Sequence, residues 1–177
     1  MIRRDVLKLG GAATVGMMIT SPAALARPVA ARPAIVLVDD RFADAQGFAD
    51  AARRDGTGVF HTNGDVLSLL NDRLRKAPLA GMAGLTSYAE MLIMAGLAAD
   101  ARRPLALRIA HEAGTAGTAH RVIDGPLASQ HVLEAAGPYW GEGLWTVLAG
   151  QSATWERRGR RARAAGQVAS LWSWSIA

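Results

Sequence analysis

The sequence predicts an α/β fold, a three-layer sandwich around a mainly parallel sheet with an antiparallel edge strand near the C-terminus. Three observations lead there. Residues 34–38 form an uninterrupted aliphatic run, Ala-Ile-Val-Leu-Val, of the kind that a sheet buries on both faces. From Phe42 the spacing changes, and Phe42, Ala45, Ala49 and Ala52 recur at helical intervals. That strand and helix then repeat in the order β-α-β-α-β-α-β before a more irregular end.

Asp39 and Asp40 end the first strand, and Arg53 and Arg54 close the first helix, where positive charge suits the helix dipole. Val59 and Phe60 mark a short second strand that stops at Asn63-Gly64. Asp65 is placed to cap a helix whose apolar face is Val66, Leu69, Leu70 and Leu74, and Pro78 stops it. Residues 79–85 read as a third strand of small apolar residues. Ser87 and Glu90 have capping-box spacing, so a helix starts there and runs to about Arg102 before Pro104.

Residues 105–109 and 120–123 are the fourth and fifth strand candidates, joined by a loop or hairpin of small residues from His111 to His120. Residues 128–136 and 141–148 read as helices divided by Gly137-Pro138. In the closing run Val168, Trp172, Trp174 and Ile176 share one parity and Ser173 and Ser175 the other. That alternation predicts a half-buried final strand.

Composition narrows the function. The 177-residue chain has no cysteine, which excludes disulfides, a thiolate-held iron–sulfur cluster and covalent c-type haem. Half its residues are hydrophobic, and its formal charge is +5. Part of that excess sits at the start of the chain and part in a late arginine cluster.

Met1-Ile2-Arg3-Arg4-Asp5-Val6-Leu7-Lys8 resembles the twin-arginine export signal, in which two arginines precede an apolar residue, leucine and often lysine. Val6 stands where phenylalanine is commonest. An apolar stretch from Leu9 to Ile19, diluted by glycines, follows, and Ala24-Leu25-Ala26 supplies a small-x-small cleavage pattern. The resemblance implies a signal over residues 1–26, the twin-arginine translocase as export partner, cleavage after Ala26 and a periplasmic location with no stable membrane span afterwards. It also implies export in the folded state. Residues 27–33 then form a linker and 34–177 one domain. Nucleic acid is excluded as a partner by that location.

Candidate sites are of three kinds. Asp39 and Asp40 fall at a strand end, where α/β sheets bind ligands, and acidic pairs there hold magnesium in phosphotransfer receiver domains, which this region resembles. A receiver also needs an aspartate ending its third strand and a lysine ending its fifth, where this chain has Thr86 and Asp124. The plainer reading pairs the aspartates with Arg41 or uses them as caps. His111, Glu112 and His120, with His131, supply metal-ligand types or a general base, but without a metal-site motif.

The third candidate is a partner or anion surface made by Trp155 with Arg157, Arg158, Arg160 and Arg161. All five tryptophans lie between Trp140 and Trp174, and packing in a core is the alternative for them. No nucleophile elbow, P-loop or dinucleotide fingerprint occurs. Two functions follow as expectations: a non-catalytic accessory or small-ligand-binding module with a periplasmic protein partner, or a small enzyme, metal-dependent in one form, with its site at the carboxyl edge of the sheet. The sequence names no cofactor.

Overall fold

A computed structural model of the chain describes residues 32–151 and 170–177. The fold is α/β, an open six-stranded mixed sheet with helices packed on it. Along the chain come β1 (Ile35–Val38), α1 (Ala43–Arg54), β2 (Gly58–His61), α2 (Val66–Asp72), β3 (Met82–Ser87), α3 (Tyr88–Asp100), β4 (Leu105–Gly114), β5 (Gly117–Asp124), α4 (Ala128–Ala136), α5 (Trp140–Leu148) and β6 (Ser170–Ile176).

The strand order is β2-β1-β3-β6-β4-β5. β1 runs parallel to β2 and β3, while β6 is antiparallel to both β3 and β4, and β4 and β5 form an antiparallel hairpin. The expectation of a mainly parallel sheet with an antiparallel edge strand near the C-terminus holds in part: β1, β2 and β3 run parallel and the edge strand β5 is antiparallel, but three of the five strand pairings are antiparallel and the C-terminal strand β6 is interior. The reason is visible in β6 itself. Trp174 and Ile176 are buried on one side, and Leu171, Ser173 and Ser175 on the other. Serine reads as a solvent-facing residue in a strand, but Ser173 is fully buried because its hydroxyl is hydrogen-bonded to His111 Nε2 at 2.9 Å.

Alternate strand residues enter two different cores, as the period of two requires. Val36, Val38, Ala83, Leu85, Ile109 and Leu171 pack with Phe48 of α1, Leu133 of α4 and Trp140, Leu144 and Trp145 of α5. Leu37, Met82, Trp174 and Ile176 pack with Val66 and Leu69 of α2 and Met91, Met94 and Ala98 of α3. Helices α1 and α5 approach so closely that a Cβ on Gly141 would lie 2.7 Å from the Asp44 carbonyl oxygen and 3.0 Å from the Phe48 nitrogen. Glycine is what lets the two backbones meet there.

The helix ends follow their sequence signals. Asp65 accepts a hydrogen bond from the Ser68 amide, and Ser87 and Glu90 form the reciprocal capping box. The stretch from His111 to His120 is the end of β4, a tight turn at Thr115-Ala116 and the start of β5. It is ladder rather than loop.

Candidate functional site

The strand order places a topological switch between β1 and β3. The connection from β1 to β2 carries α1 on one face, and the connection from β2 to β3 carries α2 on the other, so neighbouring loops diverge at the carboxyl ends of these strands. Polar groups collect there.

Asp39 follows β1 and still holds the ladder, since its amide donates to the Leu85 carbonyl at 3.1 Å. Its side chain is fully buried and takes a fork from Arg41: Nε donates to Oδ1 at 2.8 Å and Nη2 to Oδ2 at 2.6 Å. Burial pushes the Asp39 carboxyl up, and the hydrogen bonds and charge of Arg41 outweigh it, leaving it below its ordinary value. The Arg41 side chain is 54% exposed. Its guanidinium lies on Gly64, where φ is +84° and a Cβ would come within about 2.6 Å of three guanidinium atoms. Only glycine serves both demands.

Asp40 faces the neighbouring loop. The Asn63 amide, oriented so that its nitrogen meets the carboxylate, donates to Asp40 at 2.5 and 3.0 Å. His61 Nδ1 stands 3.5 Å from Asp40 Oδ2, and Arg53 Nη2 meets His61 Nε2 at 2.5 Å.

The residue that spacing alone hides in this cluster is Glu90. Its capping-box role was legible, and Ser87 Oγ donates to its Oε2 at 3.0 Å. Yet the side chain is buried and lies beside Asp39. Burial raises its pKa first and the Asp39 charge adds to that, against hydrogen bonds from Thr62 and Ser87. Its Oε1 is buried without a hydrogen-bond partner. The two carboxyls thus bind protons with opposite bias.

The histidines form a separate cluster on the other face of the sheet. His111 and His120 are directly opposed across β4 and β5, with their Nδ1 atoms 2.8 Å apart. Trp140 stacks on the His111 ring at 4.4 Å. Burial lowers the pKa of both rings, His111 well below its ordinary value and His120 to about 4. Glu112 points the other way, as the next residue in a strand must, and faces Arg121 at 3.9 Å with its side chain 65% exposed. It does not orient His111. His131 is exposed and faces Glu134.

Asp39, Asp40, His111, Glu112 and His120 consequently do not converge on one cleft. Asp39 lies on the face covered by α2 and α3, and the histidine pair on the face covered by α1, α4 and α5. Among the described residues no group of three or more histidine, aspartate or glutamate side chains is placed to hold a metal ion. Trp140, Trp145 and Trp174 are core residues, and Trp172 is half-buried against Tyr88. Trp155, Arg157, Arg158, Arg160 and Arg161, and the export residues Arg3, Arg4, Leu7, Lys8, Ala24 and Ala26, lie outside the described residues. Comparison of the chain with protein-family models, with curated proteins and with solved structures found no match.

Proposed function

We propose that this chain is a periplasmic module, exported by the twin-arginine translocase and cleaved after Ala26, that binds a small ligand carrying a carboxylate or phosphate group at the carboxyl ends of β1 and β3. The carrying observation is Arg41. A buried carboxylate grips one side of its guanidinium while half of the side chain stays exposed at the switch point of the sheet. An arginine held this way spends little ordering entropy on binding, and its remaining N–H donors suit a planar anion. A three-layer arrangement, with α1, α4 and α5 on one side of the sheet and α2 and α3 on the other, gives this edge its divergent loops.

Calorimetric titration of the protein recovered from the periplasm, with a panel of small carboxylates and phosphates, tests the reading. Arg41→Lys keeps a cation on Asp39 but loses the fork, so affinity for the ligand found should fall by about tenfold or more. If no member of the panel binds, and native mass spectrometry of the recovered protein finds no small molecule, the reading fails.

One observation favours a second reading, a small periplasmic enzyme using the same edge. Asp39 and Glu90 are biased toward opposite protonation states, the arrangement by which paired carboxyls divide acid and base roles. That reading requires Glu90→Gln to abolish turnover while leaving ligand binding in place.

A further inference from the structure

Helix α3 departs from the rule that a surface helix is polar outside. Its inner residues Met91, Met94 and Ala98 are buried as expected. On the outer side Tyr88 and Leu92 are 49% and 46% exposed, and Ala89, Gly96 and Ala99 are exposed with them. The helix has two charged residues, Glu90, which is turned inward, and Asp100, at its end. A helix that is apolar around its circumference ordinarily has cover on every side. Here Leu92, Gly96 and Ala99 are exposed among the described residues, and Tyr88, half exposed, packs at 5.0 Å on Trp172, which extends the stripe.

Charge says what covers it. Arg102 and Arg103 follow α3, and Arg75 and Lys76 follow α2, the other helix on this face of the sheet. All four are exposed, and no ion pair among the described residues involves them. A second copy is a poor occupant. A two-fold axis that pairs the stripes antiparallel would carry Arg102 and Arg103 toward the positive N-terminus of the partner helix, where the helix's own acid, Glu90, is buried.

We propose that the outer face of α3, with Arg102 and Arg103 at its end and Arg75 and Lys76 after the other helix on this side of the sheet, docks on the surface of an anionic lipid bilayer. Leu92 and the Tyr88–Trp172 pair enter the boundary between headgroups and acyl chains, where amphipathic aromatic rings are favoured. Arg75, Lys76, Arg102 and Arg103 meet the headgroup charge. No helix among the described residues is long and apolar enough to cross a membrane, so the contact is peripheral. This inference does not depend on the Arg41 site.

Vesicle flotation with the protein recovered from the periplasm tests it, comparing phosphatidylcholine vesicles with vesicles of phosphatidylglycerol and phosphatidylcholine. Binding should favour the anionic vesicles by about tenfold or more and weaken with salt. Leu92→Glu and the Arg102→Glu, Arg103→Glu double variant should each reduce it by about tenfold, with near-ultraviolet circular dichroism unchanged. Should Leu92→Glu fail to fold, Ala99→Glu places a charge on the same stripe at an exposed position. Equal binding to both vesicle types, or binding that these variants leave intact, overturns the proposal. So does a dimer in light scattering that Leu92→Glu dissociates without any vesicle binding, which would make the stripe a contact between copies.

Discussion

At the scale of single residues, protons and charges decide the most. Arg41 satisfies a fully buried Asp39, so Arg41→Ala strands a carboxylate. Because the arginine is half exposed, the expected loss is about 1–3 kcal/mol rather than the larger cost of breaking a wholly buried pair. Asp39→Asn in the same chain should recover part of it, and urea denaturation of the two single variants and the double variant measures the coupling. The histidine pair sets an acid limit. Both rings have folded pKa values below the ordinary value near 6.5, so their contribution is complete above that pH and is lost as pH falls toward about 4, where His120 takes a proton in the folded state. His120→Asn should flatten the stability profile between those limits, read as urea midpoints against pH. Glu90 acts with the opposite sign. Its raised value means that its contribution is present below the unfolded value and lost as pH rises through the folded one, so Glu90→Gln should gain stability relative to the parent chain at neutral pH and not in acid.

At the scale of elements, the helices were legible and the sheet was partly so. Helix α4 occupies the residues its spacing predicts, and α2 and α3 start at the caps that Asp65 and Ser87 announce, because capping and 3.6-residue periodicity are local properties. Strand β4 extends five residues past Ile109, through a stretch of small residues that reads as loop; pairing with β5 and β6 makes it strand. Strand β6 shows the same limit, since Ser173 is buried only through a partner 62 positions away. Packing between elements gives one sharp expectation. Gly141→Ala drives a methyl group into the α1 backbone, so α1 and α5 must separate and stability should fall by about 1–3 kcal/mol in thermal or urea melts.

At the scale of the whole molecule, export and assembly govern what can be tested. If the twin-arginine reading holds, replacing Arg3 and Arg4 together by lysine should leave the full-length chain in the cytoplasm, whereas the parent chain is recovered from the periplasm without residues 1–26; intact-mass measurement of each fraction distinguishes them. The sequence by itself determined the α/β class, the order of its elements, their caps and the strand ends at which Asp39 and Asp40 stand, because propensity, capping and hydrophobic period are written in neighbouring residues. Tertiary structure alone decided that β6 lies inside the sheet, that Glu90 lies beside Asp39, that His111 meets His120 rather than Glu112, and that the outer face of α3 is exposed among the described residues. Each of these joins residues distant in the chain or selects one side of an element. Local spacing carries no record of which side the rest of the molecule will cover.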